Sequence, residues 1–244
     1  MKPMNLTCTD TSSVAGLRAF SRTEVLVLTG VLGLLLCVVI PALAHDRTRA
    51  SRVTCANNLR QIGMGFQLWG NDHGDRAVYE VEIADGGTRR HPLAVNTWFH
   101  FARLSNELVS PKILLCPSDT GSMATEFTGD PSRGYLHPNF ANRATSYGMT
   151  YRFGALGSRV QVADRNVRFN IGAAGCSVFN SAWGIGLPYL GANDGWTSGL
   201  HELAGNFLSF DGSVVQSDSV GLRAAFNAIE RLDGAVSLHF SIPR

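Results

Sequence analysis

The sequence predicts an α+β fold in which a long N-terminal helix packs on a small, mainly antiparallel sheet. Three observations predict it. A charge-free apolar run extends from Val25 to Ala44, an apolar stripe at helical spacing follows through Cys55, Leu59, Ile62, Phe66 and Trp69, and two β-favouring segments flank Asp211-Gly212.

The run VLVLTGVLGLLLCVVIPALA holds twenty residues, enough as a helix to cross roughly 30 Å of hydrocarbon at about 1.5 Å per residue. Its direct reading is a membrane-spanning helix. A competing reading uses Ala42-Leu43-Ala44 as a small-x-small cleavage site, which releases a secreted binding or adhesion module starting at His45. A lipoprotein signal fits less well, because Leu36 stands before Cys37 where a small residue belongs. The region before the run is 24 residues long and ends in Glu24. A carboxylate carried to the bilayer centre costs about 2.5–3.5 kcal/mol, so an acid at this edge marks either a charge partner or a seat in the headgroup layer. Lys2, Arg18 and Arg22 on one side of the run are balanced by Arg47, Arg49 and Arg52 on the other, so charge does not fix the orientation. Pro41 removes a backbone donor and is the expected helix kink.

Beyond the run, the stripe recurs at spacings of four, three, four and three, with Arg52, Asn58, Arg60 and Gln61 falling largely off it. This is an amphipathic continuation that needs a surface to lie on. Gly63 and Gly65 each lower its intrinsic helicity by roughly 1 kcal/mol relative to alanine, so packing must hold it, and the cluster Asn71 to Asp75 ends it.

The rest reads as short pieces. Trp98 to Leu104 suggests a helix, Lys112 to Cys116 a strand ended by Pro117-Ser118-Asp119, and Ser146 to Phe153 a strand. Segments 121–143 and 180–200 are rich in turn formers and read as loops. The clearest local signal is the hairpin at about 206–216, where Asp211-Gly212 supplies the positive φ of a tight turn. Leu222, Ala225, Phe226, Ile229 and Leu232 then follow helical spacing, and Ala235 to Ile242 reads as a closing strand.

Composition narrows the function. With 45% apolar and 16% charged residues in 244, the chain can fold, and its 26 glycines suit a turn-rich head. A net charge of +2, spread without a long run of one sign, leaves no electrostatic footprint for nucleic acid. No nucleophile elbow, phosphate-cradling loop or dinucleotide fingerprint is present, and no catalytic residue is assigned. His201-Glu202 opens like a zincin helix but lacks the second histidine, so no zinc site is assigned. Of five cysteines, Cys8 precedes the run and Cys37 lies within it, so only Cys55, Cys116 and Cys176 can meet in one head; outside the cytoplasm that arithmetic gives one bridge and one leftover thiol.

Arg18-Ala19-Phe20, Glu24, the apolar stretch and Pro41-Ala42-Leu43-Ala44 together resemble the N-terminus of type IV prepilins and type II secretion pseudopilins. The resemblance implies a pilin-like fold, cleavage between Ala19 and Phe20 by a prepilin peptidase, and N-methylation of Phe20. It implies a leader at 1–19, a long helix at 20–72 with its transmembrane part at about 25–44, and a globular head at 73–244. Glu24 becomes the assembly residue, neutralising the Phe20 ammonium of a neighbouring subunit in low dielectric. Ala19 stands where this family usually has Gly, and Ser21-Arg22-Thr23 replaces its apolar triplet. His201 followed after nine residues by Asp211-Gly212, a Cys-x-x-Asn-Leu-Arg-Gln-Ile segment at Cys55 to Ile62, and Cys116-Pro117-Ser118-Asp119 resemble pseudopilin-like proteins of planctomycete and verrucomicrobial bacteria.

These resemblances imply a structural subunit rather than an enzyme, single-pass in a bacterial inner membrane, with its N-terminus cytoplasmic and its head periplasmic or extracellular. Its implied partners are other pilin or pseudopilin subunits and the prepilin peptidase. His201 and Asp211 are expected to hydrogen-bond across the hairpin and fix its start. Cys55 and Cys116 are the candidate disulfide, worth about 4 kcal/mol in the chain-entropy picture, against the alternative of two buried free thiols. No cofactor is expected beyond calcium, for which Asp194, Asp211 and Asp218 are candidate oxygen ligands by analogy with major pseudopilins, each acid being otherwise a turn former.

Overall fold

A computed structural model of the chain describes residues 21–153, 160–168, 191–227, 237–241 and 243. The expected leader, its cleavage pair Ala19 and Phe20, and Cys176 lie outside the described residues. The chain divides into two compact units, Met1–His45 and Asp46–Arg244. Helix α1, Arg22–Asp72, begins in the first and ends in the second, and it is assigned without interruption across Pro41.

The second unit is α+β. After α1 come the short helices α2 (Thr97–Arg103) and α3 (Ser105–Leu108), then strands β1 (Tyr147–Phe153), β2 (Val160–Asp164), β3 (Val167–Arg168) and β4 (Gly195–Trp196). Helix α4 (Ser198–His201), strands β5 (Ala204–Ser209) and β6 (Val214–Asp218), helix α5 (Ser219–Asn227) and strand β7 (Ser237–Ser241) complete the order. The main sheet runs β6-β5-β2-β1-β7 with every neighbouring pair antiparallel, and β3 with β4 forms a separate two-stranded ribbon.

Two apolar cores sandwich the sheet. On one face, Cys55, Leu59, Ile62, Phe66 and Trp69 of α1 pack with Tyr147, Met149, Tyr151, Val162 and Leu208. On the other, Val160, Ala163 and Phe207 meet Trp196 and the Leu222 and Phe226 of α5. The alternation of Phe207 and Leu208 between faces is the two-residue period of a strand buried on both sides. A register shift between Val160 and Val162 breaks that period on β2. Each fully buried Leu or Ile contributes about 1.5–3 kcal/mol, so these stripes dominate the head's stability.

Gly63 and Gly65 act by permitting close approach. A Cβ on Gly63 would stand 2.9 Å from a Leu208 methyl, and one on Gly65 would stand 2.6 Å from a Leu108 methyl. Their helix cost is the condition for seating α1 on the sheet and on α3.

Three expectations need correction. Lys112 to Cys116 is not a strand: Pro111–Leu114 forms a 3-10 turn, because Pro111 presets its φ and the Ser110 hydroxyl accepts from the Lys112 N–H at 3.4 Å. The hairpin exists, but its turn is centred one residue early. Gly212 N–H donates to the Ser209 carbonyl at 3.0 Å and Gly212 alone takes positive φ, at 83°, so Phe210 and Asp211 are the corner and Gly212 is the bulge residue that restores register. Finally, Asn58 and Arg52 turn inward, with the Asn58 amide buried against the Leu115 carbonyl and Arg52 half-buried against β5 and β6.

Candidate functional site

Within the first unit, the described feature is the apolar half of α1. Ser21 and Glu24 close its start as a capping box. The Ser21 N–H donates to the Glu24 carboxylate at 2.7 Å, and the Glu24 N–H donates to the Ser21 hydroxyl at 3.2 Å. The expected assembly residue thus carries a local role in the single chain, one that Ser-x-x-Glu signals directly in sequence. From Val25 to Ile40 every residue is exposed, and Arg22–Ile40, whose most apolar 18-residue window has a mean hydropathy of 2.5, is long and apolar enough to cross a membrane. The Thr29 hydroxyl donates back to the Val25 carbonyl at 2.9 Å, so its polar group is satisfied inside the helix.

In the second unit, polar side chains from five segments meet in the interior. Cys55 of α1 is joined by a disulfide to Cys116, their Cα atoms 5.3 Å apart across 61 residues of sequence. The Asp119 N–H donates to the Cys116 carbonyl at 2.8 Å, so Cys-Pro-Ser-Asp is a β-turn that aims Asp119 inward. There its carboxylate accepts from the Ser146 hydroxyl at 2.6 Å and pairs with Arg165, while the Ser146 hydroxyl accepts from the Cys116 N–H at 2.9 Å. The bridge is thereby fastened to the start of β1.

Behind the bridge lie His201 and Asp164. Asp164, at the end of β2 and 0% exposed, accepts from the Asn206 backbone N–H at 2.7 Å and its side-chain amide at 3.0 Å. His201, 3% exposed at the end of α4, holds Nε2 at 3.5 Å from both the Cys116 Sγ and the Asp164 carboxylate. The next two residues, Glu202 and Leu203, both take left-handed φ, 51° and 66°, which costs about 1–2 kcal/mol each in non-glycine residues. That tight turn brings the chain from His201 straight into β5. Arg52 closes the cluster by donating to the Gly205 and Ser217 carbonyls at 3.3 and 3.2 Å.

Burial sets the protonation. It pushes the Asp164 carboxyl up, opposed by the Asn206 hydrogen bonds and Arg52, and it pushes the His201 imidazole down, helped by Arg52. Both groups therefore lean to their neutral forms. Tyr147 is held well above the usual phenol range, chiefly by burial and then by the nearby Asp164 charge. A second buried histidine lies apart from this cluster on α2. His100 donates from Nε2 to the Ala94 carbonyl at 2.7 Å, bonds Thr88 at 2.8 Å through Nδ1, and is pushed down to about 4 by burial.

His201 and Asp211 do not bond across the hairpin. They sit at opposite ends of β5, because six residues of strand at about 3.3 Å each separate the turn at 202–203 from the hairpin tip. The proposed calcium acids are not brought together either, since each serves its own turn. Asp194 accepts from the Gly191 N–H at 2.7 Å, Asp211 from the Ser213 N–H at 2.9 Å, and Asp218 from the Gly221 N–H at 2.8 Å as the cap of α5. Among the described residues, the His, Cys and acidic groups placed to share a metal are instead Cys55, Cys116 and His201, whose ligand atoms lie within 4.8 Å of one another.

Two surface depressions, one of about 300 Å³ beside Phe66, Tyr79 and Phe210 and one of about 280 Å³ beside Trp196, Asp194 and Arg223, are lined by none of these three residues nor by Asp164. Comparison with protein-family models, with curated proteins and with solved structures finds no match to this chain.

Proposed function

We propose that this chain is a structural subunit of pilin or pseudopilin type, anchored in a bacterial inner membrane by the apolar half of α1 and assembling with other subunits into a type II secretion or type IV pilus-like filament. The observation that carries the reading is the helix Arg22–Ile40, which presents apolar side chains all round and buries none of them within the chain. Such a surface needs lipid or other apolar helices as its solvent. Its work in this reading is association, not catalysis. A prepilin peptidase cuts between Ala19 and Phe20, Phe20 is methylated, and the head is carried on the periplasmic or extracellular side.

Glu24 has two roles under this reading. In the free subunit it caps its own helix, and in the filament its carboxylate turns to the Phe20 ammonium of a neighbour. Replacing Glu24 by Gln tests this, because glutamine keeps the capping geometry and removes the charge. Membrane insertion is expected to persist while incorporation into sheared or cross-linked filaments is lost. Normal incorporation of Glu24→Gln removes the proposed pairing.

A second reading, a secreted module released after Ala44, is favoured by the boundary between the two compact units, which falls after His45. The second unit carries both apolar cores by itself.

A further inference from the structure

We propose that, when its disulfide is open, the head holds one thiophilic divalent cation, zinc by preference, on Cys55, Cys116, His201 and Asp164. The inference does not depend on the filament reading.

A tetrahedral cation bound by a thiolate at about 2.3 Å and an imidazole nitrogen at about 2.0 Å sets those two atoms about 3.6 Å apart. Cys116 Sγ and His201 Nε2 stand at 3.5 Å. For an imidazole nitrogen and a carboxylate oxygen the same construction gives about 3.3 Å, and His201 Nε2 stands 3.5 Å from the Asp164 carboxylate. Cys55 lies within the same 4.8 Å circle as Cys116 and His201. Two spacings around the His201 nitrogen thus already match those of a coordination tetrahedron, and Cys55 brings the second sulfur, whereas Asp164 stands outside the 4.8 Å group and takes the fourth position by moving toward the sulfurs.

The chemistry of the donors agrees. Two thiolates, one imidazole and one carboxylate form a set suited to zinc. The Asp164 oxygen that stands 3.5 Å from His201 Nε2 is Oδ2, which Asn206 already orients by two hydrogen bonds, and Oδ1 is buried without a hydrogen-bond partner. The bound centre would carry one net negative charge, from two thiolates and a carboxylate on a divalent cation. The half-buried guanidinium of Arg52, whose charge acts on both Asp164 and His201, offsets it.

A bridged pair offers no thiolate, so cation and disulfide exclude each other. In the newly made chain the thiols are still free, and the cation would hold the α1 segment against the head until oxidation replaces it. In vitro, a tertiary phosphine opens the bridge, leaving as its oxide with an oxygen from water while the two sulfurs take up two electrons and two protons. Binding then forms two metal–sulfur bonds, one metal–nitrogen bond and one metal–oxygen bond, and releases both thiol protons together with any proton on the Asp164 carboxyl.

The test uses detergent-solubilised full-length chain in which Cys8, Cys37 and Cys176 are replaced by Ser, so that only the pair in question remains. The protein is reduced with phosphine without oxygen and titrated with cobalt(II), which reports thiolate ligation by charge-transfer absorption and tetrahedral geometry by its visible bands. One cobalt per reduced chain is expected, displaced by zinc, with none bound after oxidation. His201→Ala and Asp164→Asn are each expected to weaken uptake by at least about tenfold. Absence of charge-transfer absorption in the reduced chain overturns the proposal, as does uptake undiminished by either substitution. If reduction unfolds the head, recovery of near-ultraviolet dichroism on adding zinc supports the site, and failure to recover contradicts it.

Discussion

The two halves of α1 obey one backbone geometry and opposite solvent rules. Residues 25–40 expose every side chain, whereas residues 55–69 bury one stripe against a sheet and are tied to the head by a disulfide. A helix apolar on all sides is complete only in an apolar solvent, while one apolar on a single side is completed by its own chain. The difference teaches that side-chain pattern, not helicity, assigns each half its surroundings.

The largest break in that comparison is the covalent one. Replacing Cys55 and Cys116 together by Ala is expected to lower the head's unfolding free energy by about 4 kcal/mol, since the bridge closes a 61-residue separation. Urea unfolding of the metal-free protein measures it, and a change below about 1 kcal/mol would mean that the bridge adds nothing to the packing.

Truncation should separate the halves next. Ile62→Ala, at a fully buried position, is expected to cost the head about 2–5 kcal/mol, while Leu34→Ala, 69% exposed, should leave the head's urea midpoint unchanged. Equal effects would show that the two halves share one core.

Acidity discriminates in the same way, because buried titrating groups occur only in the second unit among the described residues. The His100 pKa lies near 4, below the ordinary 6.5, so the unfolded chain takes up a proton that the folded chain refuses. Its stability contribution is complete above about 6.5 and is lost as pH falls toward 4, amounting to about 2 kcal/mol by pH 5. Comparing wild type with His100→Gln between pH 7 and pH 5 isolates this share, and identical pH slopes would contradict the burial. The opposed shifts of Asp164 and His201 largely cancel over that range and enter both proteins equally.

The smallest effect is a methyl group. Gly65→Ala should lower head stability by about 1–2 kcal/mol, because its Cβ would meet Leu108 at 2.6 Å and overpacking outweighs the roughly 1 kcal/mol gained in helix propensity. Gly30→Ala, with nothing within 4 Å, should leave the head's melting temperature unaltered.

Much of this was legible because it is periodic. The 3.6-residue stripe identified Cys55, Leu59, Ile62, Phe66 and Trp69 as one buried face, and the β-favouring runs around Asp211-Gly212 identified a hairpin. What failed depended on one bond or on distant contacts. A one-residue shift of the turn followed from which N–H reaches the Ser209 carbonyl, and the missing strand at 112–116 followed from Pro111. Asp164, Asn206 and Arg52 carry no motif; they are joined only by folding residues 42 and 154 positions apart. His201 was singled out by its spacing to Asp211, yet the partners that matter to it are Cys116 and Asp164, which no local pattern links. The Ser21–Glu24 box is readable as Ser-x-x-Glu, but an acid beside an apolar run points to charge pairing first.

In the proposed filament subunit, the apolar half of α1 stays on the mature protein as its lipid-embedded part. Terminal sequencing and intact mass of the native protein, separately from washed membranes and from the soluble fraction, test it most directly. One membrane-bound species beginning at Phe20 and carrying an added methyl group is expected. A soluble species beginning at His45 would contradict it.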